Sequence, residues 1–321
     1  MSGDLRTPWG SLRGRVCVVA PDPSPLSPPT LDLRPRQTVA VLGAGTMGQG
    51  IAQVAASYGH LTYLYDAAPG RAQAAIAATA AQIEKLVAKG KISSDSSARA
   101  IGSMRAAGAV REACSLASLV IEAAPEDMEL KVELRREAAA HARNHAILAS
   151  NTSSLSLTEL GARIGAAGRT LGLHFFNPVP VMELVEVVRG LMTALPVVDR
   201  AVQFAFDLGK TPIVVRDTPG FASSRLGVIV AAEAIRMLET GVASAKDIDR
   251  AMELGYRHPM GPLRLSDLVG LDVRLSILDH LCYELGEQFR APPLLRMMVR
   301  AGKLGKKTGE GFYLWRDGIA Q

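Results

Sequence analysis

From Gln37 onward, short apolar runs alternate with longer segments in which apolar residues recur every three or four positions. The first pattern predicts buried strands and the second amphipathic helices. Thr38 to Leu42 reads as a strand, Met47 to Tyr58 as a helix and Leu61 to Tyr65 as a second strand ending at Asp66. An alanine-rich helix follows from Pro69 to Lys89, with Pro69 in its first turn. Further strands are predicted at Leu119 to Glu122, Ala146 to Ala149, Thr170 to His174, Glu183 to Val188 and Pro212 to Val215, with helices filling most of the gaps. Strands alternating with helices imply an α/β fold built on a doubly wound, mostly parallel sheet covered on both faces. The turn-forming stretch Asp217-Thr-Pro-Gly220 ends that pattern. Beyond it nearly everything reads as helix: Phe221 to Glu239, Ala245 to Leu254, Leu265 to Leu285 and Pro292 to Ala301. The chain is therefore expected to hold one domain over residues 37–217 and a second, all-α domain over 218–321. Ahead of both, residues 1–36 carry a run of prolines from Pro21 to Pro35 and read as an extended or disordered leader, an early start codon being its other source.

With 321 residues, 48% of them apolar and 21% charged, the chain has the make-up of a soluble globular protein and enough length for two domains. The net charge of +5 is spread along the sequence and only 5% of residues are aromatic, which favours a small polyanionic ligand over a nucleic-acid surface. Cys17, Cys114 and Cys282 are isolated and show no metal-ligand spacing, as expected in a reducing compartment with neither a disulfide frame nor a metal site. No apolar run is long enough to span a bilayer, and Val16 to Ala20 is too short for an export signal. A cytoplasmic location is expected.

The turn after the first predicted strand reads Gly43-Ala-Gly45-Thr46-Met47-Gly48 and opens a helix. Glycine at 43 suits a tight turn, at 45 a close backbone approach to a pyrophosphate, and at 48 close helix–sheet packing. The helix N-terminus adds N–H groups for the phosphates. Asp66 follows 23 positions after Gly43 at a strand end, close to the spacing of about 20 at which an acid meets the adenosine ribose. The set predicts a Rossmann-type dinucleotide site, and the charge of Asp66 favours NAD over NADP; Arg71 nearby works against that preference. Glycines used for packing alone would leave Asp66 unexplained.

A dehydrogenase acting on an alcohol needs a base for the hydroxyl proton, and histidine suits the task. His60, His141, His145 and His280 lie in polar or surface-like segments and are expected to be solvated. His174 ends an apolar strand, where ligands bind at the carboxyl edge of such a sheet. Glu186 stands twelve residues later inside the apolar run Met182 to Val188, with two prolines between to turn the chain. A buried carboxylate needs a partner, and the imidazole is a natural one. The other reading, a strand-capping His174 with Glu186 facing solvent on an edge strand, is left open by spacing alone.

Six motifs in order resemble the L-3-hydroxyacyl-CoA dehydrogenase family, bacterial 3-hydroxybutyryl-CoA dehydrogenases above all. They are Gly43-Ala-Gly-Thr-Met-Gly48, Ser150-Asn-Thr-Ser-Ser154, His174-Phe-Phe-Asn-Pro-Val-Pro180, Asp217-Thr-Pro-Gly-Phe221, His258-Pro-Met-Gly-Pro262 and Gly305-Lys-Lys-Thr-Gly-Glu-Gly-Phe-Tyr313. The likeness runs from Gln37 to Trp315. It implies reversible NAD-dependent oxidation of a 3-hydroxyacyl-CoA, with short chains such as 3-hydroxybutyryl-CoA first in line. It also implies His174 as base, Glu186 as its partner, and Ser153 and Asn177 at the reacting oxygen. Glu126 and Lys131 correspond to cofactor-contacting positions, for which an ordinary helix-surface pair is the other reading, and Lys89, with Lys85 and Lys91 nearby, would face the phosphates of coenzyme A. Without the resemblance that lysine cluster is a solvated helix end, and Ser150 to Ser154 a helix cap before Leu155. His258 reads as a packing residue at a turn.

One position departs from the family pattern: Ser224 stands where the family often has asparagine, four residues after the glycine of its PGF motif. The shorter side chain still donates a hydrogen bond, so rate and chain-length preference are in question more than reaction type. The resemblance further implies a homodimer through the helical domain. Oxidation of a free hydroxy or sugar acid, or cofactor binding without catalysis, are the rival readings.

Overall fold

The computed structural model describes residues Gln37–Gln321, so the leader reading of residues 1–36 lies outside the described residues. Its centre is β1 (Thr38–Leu42), whose Val39 to Leu42 are wholly buried because helices cover both faces. Around it the sheet has the order β3-β2-β1-β4-β5-β6-β7-β8. These strands are β2 (Leu61–Tyr65), β3 (Met104–Ala107), β4 (Leu119–Glu122), β5 (Ile147–Ser150), β6 (Thr170–Phe175), β7 (Leu184–Arg189) and β8 (Thr211–Arg216). Neighbours from β3 to β6 pair in parallel. The last two strands reverse: β7 is antiparallel to β6, and β8 follows β7. The link over 176–183 is shorter than the crossover of about a dozen residues that a parallel return demands.

The helices of this part are α1 (Thr46–Ser57), α2 (Arg71–Ala88), α3 (Ser94–Gly102), α4 (Val110–Cys114), α5 (Met128–His141), α6 (Leu157–Arg163) and α7 (Leu195–Asp207). Most of α1 is buried, which its small residues permit. A Cβ on Gly48 would stand 1.7 Å from the Gly43 carbonyl oxygen, and one on Gly50 would stand 2.9 Å from Val179 Cβ. The sequence pattern had not separated β3 from the helices around it. Its four residues include the exposed Arg105 and two alanines, too little apolar surface to register as a strand.

After the turn at 217–222 come α8 (Ser223–Glu239), α9 (Ala245–Arg250) running into a π turn (Ala251–Gly255), α10 (Pro262–Val269), α11 (Leu271–Leu285) and α12 (Pro293–Arg300). Val228, Ile235, Leu263, Leu278 and Leu295 meet in a core of their own. The single helix expected over Leu265 to Leu285 is two, broken where Gly270 takes φ +105°. Buried Asp267 receives the N–H groups of Phe312 and Tyr313 and the Trp315 indole, each at 2.9 Å, and so draws the chain's last segment onto α10. A short hairpin, β9 (Trp315–Arg316) with β10 (Ile319–Ala320), ends the chain.

Two histidine expectations need correction. His60 is buried, its ring 5.3 Å from that of Phe204 on α7 and its Nδ1 accepting the Gln37 N–H at 3.2 Å. Apolar neighbours from a distant part of the chain bury it, which local polarity could not reveal. His258 is exposed, so it is not a packing residue within this chain. Cys114 is fully buried, and burial first, with Glu137 adding, pushes its thiol up to about 12, which keeps it protonated. No helix among the described residues is long and apolar enough to cross a membrane.

The glycines of the first turn therefore make different demands. A Cβ on Gly45 meets nothing within 4 Å, and its φ of −73° suits any residue. Gly48→Ala should destabilise the protein by roughly 3 kcal/mol or more through overpacking, and Gly45→Ala by no more than about 0.5 kcal/mol. Urea denaturation of the two variants reads the contrast; equal losses would contradict this account of the turn.

Candidate active site

The glycine turn lies at the carboxyl end of β1, and its shape is locked from several sides. Gly43 has φ +111°, and a side chain there would press to 2.6 Å from the Ala123 carbonyl oxygen. The Asp66 carboxylate accepts the Ala44 N–H at 2.7 Å and the Ala68 N–H at 3.0 Å, which fixes the acid beside the turn. Arg71, mostly exposed, brings its Nε to 3.8 Å from Asp66. No side chain caps the N-terminus of α1, where Thr46 is exposed and Met47 half-buried. Gly45 thus leaves open space beside an uncapped helix end, with a carboxylate next to it. That donor set fits a dinucleotide: backbone N–H groups suit the pyrophosphate and the carboxylate suits ribose hydroxyls.

At the ends of β4 and β5 stands a buried ionic network. The Lys131 ammonium, on the inner face of α5, donates to Glu122 Oε1 at 2.6 Å and to the Ala124 carbonyl at 3.0 Å, and lies 3.4 Å from Glu126 Oε2. Ser150 donates to the other oxygen of Glu122 at 2.6 Å. One turn along α5, Arg135 donates to the Ala149 and Leu148 carbonyls at 2.7 and 3.1 Å, and burial pushes it down to about 10 despite the charge of Glu122. Glu126 reaches across to the loop after β5. It accepts from the Thr152 hydroxyl at 2.6 Å, the Ser153 N–H at 3.0 Å and the Ser154 hydroxyl at 2.9 Å. Burial pushes the Glu126 carboxyl up, but Lys131 and these hydrogen bonds outweigh it and hold the group below the ordinary range. Glu126 and Lys131 are consequently no helix-surface pair, for Lys131 is 1% exposed. Nor is the helix cap found within Ser150 to Ser154. Ser156 caps α6 instead, accepting the Glu159 N–H at 3.2 Å.

His174 and Glu186 are direct register partners across the antiparallel pair β6–β7. Side chains opposite one another in such a pair share a face, and here the imidazole Nδ1 lies 2.7 Å from Glu186 Oε2. Both residues are buried, and β7 is an interior strand, so Glu186 does not face solvent at an edge. A carboxylate only accepts, so Nδ1 carries the proton and Nε2 is left as the basic nitrogen. Phe176 and Phe221 flank the imidazole, with ring centroids 4.5 and 5.8 Å away. The other carboxylate oxygen, Oε1, accepts the N–H groups of Ala222 and Ser223 at 3.1 and 2.8 Å, and the Ser223 hydroxyl donates to Oε2 at 2.8 Å. Burial pushes the Glu186 carboxyl up, yet His174 and Ser223 together hold it below the ordinary carboxylate range.

Around this pair the structure gathers some of the sequence-derived candidates and leaves others apart. Ser153 is half-buried on the loop held by Glu126. Asn177 is exposed, before a cis peptide bond to Pro178, on the loop that leaves β6. Ser224 is half-buried at the start of α8 beside Ser223. Lys89 ends α2 and is exposed with Lys85 and Lys91, and it forms no part of the dyad. Sequence reasoning missed three contributors. Ser223 lay next to the residue singled out by resemblance. Glu122 ends a run of apolar residues, where a carboxylate must find a partner, and that signal was available. Lys210 is buried and donates to the Val179 and Met182 carbonyls at 2.7 and 2.8 Å, tying down the loop between His174 and Glu186; nothing near it in sequence announces this.

Comparison with known proteins agrees with this arrangement. Residues 38–218 match the family model described as 3-hydroxyacyl-CoA dehydrogenase, NAD binding domain, and residues 220–315 the model of the C-terminal domain of the same family. A Bacillus subtilis protein named probable 3-hydroxybutyryl-CoA dehydrogenase is 44% identical over 280 residues, 87% of this chain and 97% of the relative. The mitochondrial hydroxyacyl-coenzyme A dehydrogenase of Sus scrofa is 41% identical, covering 87% of this chain and 91% of its own. The crystal structure of (S)-3-hydroxybutyryl-CoA dehydrogenase from Ralstonia eutropha superposes with a TM-score of 0.85 at 39% identity, over 88% of this chain and all of that one. With the glycine turn, the buried dyad and both family models in place along its length, the chain belongs to the NAD-dependent 3-hydroxyacyl-CoA dehydrogenases.

Proposed function

We propose that the protein interconverts a short-chain L-3-hydroxyacyl-CoA, such as 3-hydroxybutyryl-CoA, and the 3-oxoacyl-CoA, working in the cytoplasm as a homodimer. The observation that carries the reading is the buried His174–Glu186 contact of 2.7 Å, with Nε2 directed away from the carboxylate. His174 Nε2 takes the proton of the C3 hydroxyl. Glu186, ionised, stabilises the imidazolium that results. Ser153 and Asn177 hold the oxygen as it becomes a carbonyl, with Ser153 in turn steadied by Glu126 and, behind it, Lys131. NAD, when bound, supplies the acceptor for the C3 hydride. Gly43, Gly45, Thr46, Met47, Gly48 and Asp66 would hold its adenosine and pyrophosphate, and Glu126, braced from within by Lys131, would meet the cofactor from the loop after β4. Phe176 and Phe221 keep water from the imidazole. Ser224 meets the substrate from α8, and Lys89 offers charge to the phosphates of coenzyme A.

Exposed apolar side chains on the helical part, among them Leu226, Leu254, Tyr256 and Tyr283, support pairing of two chains through that domain. Light scattering on the purified protein should give twice the chain mass, and a chain-sized mass would exclude the dimer.

His174→Gln removes the base while leaving the glycine turn intact. Turnover of 3-hydroxybutyryl-CoA should fall by roughly a hundredfold to ten-thousandfold, with NAD affinity nearly unchanged in a fluorescence titration. A variant as active as the parent protein would sink the mechanism.

Glu186 also makes stability depend on pH. Its carboxyl is held below the ordinary range in the folded chain. The stability this lends is complete above the unfolded value of about 4.3 and is lost as pH falls through the lower folded value. Glu186→Gln should therefore cost about 2 to 4 kcal/mol at neutral pH. The gap to the parent protein should narrow as acid protonates the native carboxylate, read by urea midpoints across the acid range; a gap independent of pH would overturn the assignment.

A further inference from the structure

We infer that Ser223 is a positioning residue for proton transfer, holding Glu186 in register with His174 and limiting how much negative charge the carboxylate presents to the imidazole. The inference rests on His174 acting as the base. Its foundation is the division of donors on the buried Glu186 carboxylate. Two backbone N–H groups, of Ala222 and Ser223, take Oε1, whereas Oε2 is shared between the His174 Nδ1–H at 2.7 Å and the Ser223 hydroxyl at 2.8 Å. The two side-chain donors therefore compete for one oxygen. A carboxylate oxygen that already accepts a hydroxyl hydrogen bond carries less charge for the imidazolium that forms when His174 takes a proton.

Among the described residues no other ionisable side chain supplies a hydrogen bond or ion pair to this carboxylate. His174 faces it from β6, its register partner on β8 is Ile213, and α8 presents Ser223. Along the chain the nearest charged neighbours, Glu183 just before β7 and Arg189 at its end, lie three residues away on either side. The next residue of α8, Arg225, is turned toward the ring of Phe289, 5.8 Å from its centroid. Among the described residues the Ser223 hydroxyl is thus the one neutral side-chain donor on the carboxylate of the dyad. Its position is fixed because α8 has no capping side chain of its own: the residue before it is Ala222, and Glu186, from the sheet, takes that role. A helix of the second domain and a strand of the first are joined at the atom that steadies the base.

Ser223→Ala keeps both backbone donors and removes only the hydroxyl. Released from it, Oε2 stabilises the imidazolium more strongly, so the acid limb of the pH profile of kcat/KM should move up by roughly half to one pH unit. Activity on the plateau above the limb should fall roughly two- to tenfold as the carboxylate loses an anchor. Ser223→Thr retains the donor and should return the limb to its original position. Thermal unfolding, followed alongside, checks that each variant is folded, and Ser223→Cys, a weaker donor, serves if the alanine variant is not. A limb that stays in place or moves down in Ser223→Ala overturns the inference, and so does a limb that moves equally in the threonine variant. Undiminished activity in His174→Gln is a different outcome, which removes the base itself and leaves the Ser223 profile to be read as a packing effect.

Discussion

A full charge sealed from water has to be met by donors, and Glu186 concentrates that requirement at one point of the structure. Its carboxylate is wholly buried, and two elements supply its partners: His174 from β6, and the start of α8, where Ser223 and Ala222 just before it donate; β7 carries the acid itself. If β6 and β7 were parallel, or α8 began a turn later, the charge would be stranded at a cost of several kcal/mol. The reversal of β7, the turn at 217–222 and the orientation of the imidazole are therefore not separate features. Each is a condition for burying the same carboxylate.

A second buried network does the same for the strands on the other side of β6. Glu122, Lys131 and Arg135 form a floor beneath the ends of β4 and β5, and Glu126 carries its charge up to the loop of Ser153. Each of the ammonium contacts of Lys131 is to a protein oxygen, so the buried charge braces Glu126 and Glu122 rather than reaching outward. Asp217 adds a strut from beyond β8, accepting from the Ser156 hydroxyl and the Thr158 N–H at 2.8 Å each. The residues after β5 are consequently held from below by α5 and from the side by the turn into the helical domain.

How much of this was legible depended on range. β1, α1 and β2 could be read because their apolar spacing and the glycine turn are local, and because Asp66 sits where the turn requires an acid. The twelve-residue interval between His174 and Glu186, with its prolines, held the antiparallel pairing in outline, since the link is too short for a crossover. β3 was illegible because four residues, an exposed arginine and two alanines among them, carry no readable period. The break at Gly270 was hidden by apolar spacing that runs through it without interruption. Ser223, Lys210 and the burial of His60 were beyond sequence reasoning for a common reason: each takes its meaning from a partner that only the folded chain brings near. The family resemblance drew attention to Ser224 as a substrate-side position and gave no sign that the hydroxyl before it bonds Glu186.

Gly50 holds one more consequence. Val179 of the loop after β6 rests where a side chain on Gly50 would be, 2.9 Å from the position of its Cβ. Gly50 belongs to the helix that opens at the glycine turn, and Val179 to the loop that carries Asn177, whose far end Lys210 clamps. The spacing between the helix that opens at the glycine turn and the loop that leaves β6 is thus calibrated by a missing methyl group. Hydride transfer is sensitive to fractions of an ångström, and here the gauge that sets the separation is an empty position on a helix.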